Sequence, residues 1–178
     1  DRAFGRGRID IGPWTDAVED SVRQWDPSLL EERVVADALS SLRQTGLELS
    51  AVRTHGDFHL GRTARTDHGW VVADLGPAGL HGGAGERALR SPLADVADMV
   101  ASLHRAAVIE AGEHHPAGRA ALVVLAQAWE DRNRKALLRG YLSTPGIEAL
   151  VPLDRRLAEE LVAMAELQLV VVQGMLGS

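Results

Sequence analysis

The chain of 178 residues contains no cysteine, which removes disulfide frameworks, thiolate zinc sites and cysteine nucleophiles together. Lysine is nearly absent too. Lys135 is the one lysine among 19 basic residues, so a nucleotide site that sets a lysine on the phosphates is not easily assembled here. Aromatic residues make up only 4%. The core must then be built from Leu, Val and Ala, which favours helices packed on helices. No apolar run reaches the roughly eighteen residues that a membrane-spanning helix needs, so no membrane association is expected. The N-terminus lacks a basic-then-apolar leader, which makes the cytoplasm the expected location. Nor is there a basic stripe. The formal net charge is −6 with acids and bases interspersed, which argues against a nucleic-acid partner.

What is present is the balance of an ordinary globular domain, 46% apolar and 25% charged. At this length a single domain over residues 1–178 is expected, with residues 1–13 an irregular lead-in broken by Gly5, Gly7 and Gly12. Residues 14–46 read as helices. The first runs over Pro13–Gln24 with Thr15 as its N-cap. The second is capped by Asp26, has Pro27 at its first position and ends at Gly46. Its Leu30, Val34, Val35, Ala38, Leu39 and Leu42 share one face. Residues 49–76 change character: a short strand over Leu49–Arg53, a loop, and a hairpin of Thr63–Thr66 and Trp70–Asp74 around Asp67-His68-Gly69. Trp70-Val71-Val72-Ala73 is apolar enough to expect burial against a helix. Gly76–Gly85, with five glycines and a proline, is irregular. Residues 91–178 are helical again, starting at Ser91-Pro92, with a long helix over Arg119–Leu142 and a last one over Asp154–Gln173.

The chemistry concentrates between the strand and the hairpin. Asp57 lies on a loop with His55 and His59 two residues to either side. Seventeen residues on, Asp74 follows an apolar strand and opens Asp74-Leu75-Gly76. A loop aspartate, a hairpin and an Asp-x-Gly is the layout of kinase phosphoryl transfer, in which one carboxylate accepts or orients the acceptor hydroxyl and the other holds a magnesium ion. Hard divalent cations want carboxylate oxygens, and an attacking hydroxyl needs an ionised acceptor beside it. A turn aspartate capping a local amide is the bland alternative for Asp57 taken alone. A zinc site on His55 and His59 lacks a third ligand. His68, His81 and His114-His115 fall in turns and connectors and read as solvated. Asp16, Glu19 and Asp20 read as a solvated helix face, and Trp14 and Trp25 as partial core anchors.

The run His55-Gly56-Asp57-Phe58-His59-Leu60-Gly61, followed by Arg65-Thr66 and Gly69-Trp70-Val71-Val72-Ala73-Asp74, resembles the C-lobe of bacterial maltokinases. Glucosamine kinases and the wider aminoglycoside-phosphotransferase-like group share the pattern. Ser91-Pro92-Leu93-Ala94-Asp95-Val96-Ala97, Trp129-Glu130 and Gly140-Tyr141 extend the likeness, which runs from about Leu29 to Leu167. The resemblance implies a mainly α fold: the helical C-lobe of a protein-kinase-like fold with a small β-hairpin. It implies ATP and Mg2+ as cofactors and a sugar or aminosugar hydroxyl as acceptor. It makes Asp57 the catalytic base, Asp74 the metal ligand and Asp95 a buried helix aspartate that hydrogen-bonds the catalytic-loop backbone. His55 and His59 brace the loop.

Three departures bear on activity. Five residues after Asp57, where the family has a metal-binding Gln or Asn, stands Arg62, which has donors and no acceptor. Arg62 can neutralise phosphate directly or exclude metal altogether. The family's Asp-Phe-Glu is Asp74-Leu75-Gly76 here. Finally, the 54 residues before His55 read as helices, so the nucleotide-binding N-lobe is expected to be absent and supplied by a longer parent chain or a partner. Two readings stay open: an ATP-dependent sugar phosphotransferase C-lobe, inactive without an N-lobe, or a degenerate pseudokinase-like binding module.

Overall fold

Helices form where apolar residues recur every three to four positions, and five α-helices carry most of the chain among the described residues. The computed structural model describes residues 6–73, 89–112, 119–151 and 154–176. Strand β1 (Arg6–Asp10) leads into α1 (Ile11–Trp25), and a 3-10 turn (Pro27–Leu30) leads into α2 (Arg33–Arg43). Strand β2 (Glu48–Val52) returns antiparallel to β1, in a register that sets Arg6 opposite Val52 and Asp10 opposite Glu48. The hairpin is β3 (Thr63–Thr66) with β4 (Gly69–Val72). Three long helices complete the fold: α3 (Leu93–Gly112), α4 (Arg119–Leu142) and α5 (Arg155–Leu176). None of the described helices is long and apolar enough to cross a membrane.

Several expectations are corrected. The lead-in is not irregular throughout, because Arg6–Asp10 is a strand. Its charges and its glycine disguised it, and its partner lies some forty residues away in sequence. The cap of α1 is Asp10, whose Oδ1 accepts from the Gly12 amide at 3.0 Å. Thr15 is buried inside the helix, donating to the Ile11 carbonyl at 2.7 Å. The second helix does not run unbroken from Asp26. Asp26 caps only the 3-10 turn through the Ser28 amide, and α2 starts afresh at Arg33. Of its apolar residues Leu39 and Leu42 are buried, whereas Val34 is 81% exposed. The Asp16–Glu19 face is tied to α2, since Arg43 bonds both carboxylates, with Asp16 at 2.6 Å.

The core lies where α1, α2, α3 and α5 meet. Ile11, Val22, Leu42, Val100 and Leu161 are fully buried in it, and each such side chain contributes about 1.5–3 kcal/mol. Trp14 and Trp25 are partly buried against this cluster, and Trp14 Nε1 donates to Gln168 Oε1 at 2.9 Å. Helix α3 packs on both α4 and α5, and α5 also packs on α1 and α2. That places α3 with one face in the core and another toward the loop that follows β2.

Candidate active site

The loop after β2 is built by α3. Asp95, in the first turn of α3, accepts from the His55 amide through Oδ2 (2.7 Å) and from the Gly56 amide through Oδ1 (2.9 Å). It is half-buried. Ser102, two helical turns further on the same face, accepts from the Leu60 amide at 3.1 Å while donating to the Met99 carbonyl at 2.8 Å. Two points of one helix therefore hold both ends of the segment that carries Asp57 and His59. The anchors are about 10.5 Å apart along the helix axis, less than the extended reach of residues 55–60, so the segment must arch between them. Sequence reasoning missed Ser102. The available signal was its spacing of seven from Asp95, which puts the two on one face of the helix together with Asp98 and Met99.

Asp57 sits on that arch with about a third of its side chain exposed. Its Oδ2 accepts from Arg62 Nη2 at 2.8 Å and from Arg62 Nε at 3.2 Å. These hydrogen bonds hold the Asp57 carboxyl below the usual carboxylate range, against the partial burial that would raise it. Its other oxygen, Oδ1, lies 3.6 Å from His59 Nε2. The Arg62 amide bonds the His59 carbonyl at 2.8 Å in the 3-10 turn Leu60–Arg62, which turns the guanidinium back onto Asp57.

His55 is fixed by its ring as well as its amide. Nε2 lies 3.1 Å from the Ala73 carbonyl, an acceptor only, so Nε2 carries the proton; Nδ1 is buried with no partner among the described residues. The ring also meets Phe58, with centroids 5.7 Å apart. Ala73 in turn donates its amide to the Arg62 carbonyl at 2.8 Å, so the exit of the hairpin closes onto both His55 and Arg62. Asp74 comes next in the chain and lies outside the described residues, as do Gly76–Gly85, His81 and His114-His115. Tyr141, half-buried above Pro92, has its phenol pushed up to about 12 by burial and by the charge of Asp95, which keeps it protonated.

The hairpin itself is not buried as expected. Every residue of β4 is exposed, with Trp70 at 67%, and Arg65 stacks on the Trp70 ring at 5.8 Å from its centroid. Gly69 at the turn has φ +121°, which is why a glycine stands there. Among the described residues no three His, Asp or Glu side chains converge as metal ligands.

The fold as a whole matches known structures. The chain has a sugar-kinase-like fold. Two crystal forms of a glucosamine kinase superpose on 96% of it with a TM-score of 0.59 at 20% identity, using 43% and 42% of their own chains. A glucosamine kinase in complex with glucosamine, ADP and inorganic phosphate covers 97% of it with a TM-score of 0.52 at 23% identity. This chain spans less than half the length of those kinases, 48% in the last case. No family model matches the chain. The sugar-kinase-like fold therefore rests on architecture, and the loop supplies the chemical argument.

Proposed function

We propose that this chain is the C-lobe-like part of an ATP-dependent phosphotransferase acting on a sugar or aminosugar hydroxyl, with Asp57 as the catalytic base. One observation carries the reading: within a sugar-kinase-like fold, an ionised aspartate is held on a loop pinned by Asp95. An ionised carboxylate beside an acceptor hydroxyl can take its proton as the oxygen attacks phosphorus. The complex of a neighbouring kinase with glucosamine, ADP and phosphate supports a sugar acceptor and a nucleotide donor as the first ligands to try. Maltose, glucosamine and an aminoglycoside are the acceptors that the sequence resemblance suggests. The nucleotide-binding lobe is supplied by a longer parent chain or a partner, since the neighbouring kinases are more than twice as long as the part matched here.

Magnesium fits the described residues poorly. Arg62 already supplies the positive charge at Asp57, and a guanidinium cannot be a metal ligand. Asp74, outside the described residues, stays the candidate ligand. The Arg62–Asp57 pair favours a second reading, a degenerate binding module without transfer. Calorimetry with ATP, in the presence and absence of magnesium, separates the two readings on the wild-type chain, Asp74→Ala and Arg62→Gln. Metal-dependent nucleotide binding that Asp74→Ala abolishes supports the phosphotransferase. Absence of nucleotide binding in all three rules it out for the isolated chain. Metal-dependent binding gained only by Arg62→Gln supports the degenerate module.

A further inference from the structure

His59 is held by two backbone features at once. Its Nδ1 accepts from the Gly61 amide at 3.1 Å. An amide N–H only donates, so Nδ1 carries the lone pair and the neutral ring has its proton on Nε2. The ring also lies over Gly61 itself. A Cβ at position 61 would come within 3.0 Å of His59 Cε1 and 3.1 Å of Nδ1. Gly61 is not among the glycines with positive φ, so a side chain there would meet crowding rather than backbone strain, and the ring would have to give way by a few tenths of an ångström. The structure thus fixes both the plane of the imidazole and its tautomer.

The consequence is a directed donor beside a directed acceptor. Asp57 has Oδ2 committed to Arg62, while Oδ1 lies 3.6 Å from His59 Nε2. That gap is too long for a direct hydrogen bond. Both side chains are about one-third exposed, so a ligand can reach them. A hydroxyl fits the pair chemically, because it accepts from an N–H and donates to a carboxylate at the same time.

We propose that His59 contacts the acceptor sugar: Nε2–H donates to the acceptor hydroxyl oxygen while that hydroxyl donates to Asp57 Oδ1. This assignment rests on the phosphotransferase reading above. In the transfer step the acceptor oxygen forms its bond to the terminal phosphorus of the nucleoside triphosphate. The bond from that phosphorus to the bridging oxygen breaks, and its electron pair leaves with the nucleoside diphosphate. The hydroxyl proton passes to Asp57 Oδ1. His59 keeps its proton throughout and serves to fix the oxygen, leaving a lone pair for phosphorus.

Two substitutions divide the ring's two nitrogens. His59→Asn keeps an acceptor for the Gly61 amide and loses the group at Nε2; His59→Gln keeps an N–H at the Nε2 position. Gly61→Ala leaves the imidazole intact and displaces it. Long-range proton–nitrogen spectra of the 15N-labelled chain should show the Nε2–H tautomer for His59 before any ligand is added. Glucosamine or maltose should then shift the His59 Nε2 signal. His59→Asn and Gly61→Ala should weaken sugar binding about tenfold, the scale of one lost hydrogen bond, and His59→Gln should retain most of it. An Nδ1–H tautomer, sugar binding unchanged in His59→Asn, or a wild-type chain that binds neither sugar would each overturn the assignment. If the sugar shifts Nε2 as described but no phosphate is transferred with ATP and the completed kinase, the phosphotransferase reading fails and the His59 contact stands.

Discussion

A carboxylate with one oxygen held by a guanidinium is a poorer proton acceptor than a solvated one, and Asp57 is in that position. The hydrogen bonds from Arg62 lower its pKa more than partial burial raises it. Arg62→Gln should therefore move the Asp57 carboxyl upward toward the ordinary value near 3.9, read as its 13C titration by NMR. The sign for stability follows. A depressed carboxylate contributes above its unfolded pKa, and that contribution is lost as pH falls through the lower folded value. Because about a third of Asp57 is exposed, the contribution is small, and the wild-type and Arg62→Gln chains should differ slightly in stability above about pH 4 and converge as the pH falls below it. Asp57 stood out in the sequence because the types and spacing of its neighbours matched a chemistry. The pairing of Arg62 with it did not, since contact between residues 57 and 62 depends on the 3-10 turn between them.

At the scale of elements, α3 is both a core helix and the post on which the loop hangs. Replacing Ser102 by Ala leaves the Leu60 amide with no protein partner, and Asp95→Ala does the same to His55 and Gly56. Ser102→Ala should cost about 1–3 kcal/mol in urea unfolding and Asp95→Ala as much or more. Hydrogen exchange should speed up at Leu60 in the first variant and at His55 and Gly56 in the second. Helix α3 was legible from apolar spacing and its Ser91-Pro92 start, and α4 from the breaker Ser143-Thr144-Pro145-Gly146 that ends it; it spans Arg119–Leu142 as expected. Strand β1 was not legible, because two charged residues flank its glycine and its pairing partner is distant. The exposure of β4 was not legible either. An apolar run states that a surface can be buried, and only the packing states whether it is.

For the whole molecule, α5 is the helix shared by the two halves of the bundle, touching α1 and α2 on one side and α3 on the other. Leu161 on it is wholly buried in that junction. Leu161→Ala should cost about 2–5 kcal/mol, seen as a lower Tm in thermal unfolding, with a single transition because both halves lose the same contact. Composition had already pointed to a core of Leu, Val and Ala, since with so few aromatic residues little else could fill it, and Ile and Met join them in the structure.

Val52 and Arg90 exchange both backbone hydrogen bonds, each at 2.9 Å, at the place where the chain leaves β2 and where it comes back to α3. The stretch between them, which includes Asp57, His59 and the hairpin, therefore starts and ends at one neck, and Asp95 and Ser102 tie its first part to α3 as well. Doubling the length of a loop closed in this way costs only about 0.6 kcal/mol. Insertions and deletions beyond the hairpin can thus accumulate in descendants of this chain at little thermodynamic expense, while the scaffold behind the neck stays as it is. That gives such a lineage freedom to change what the excursion recognises without relearning how to fold.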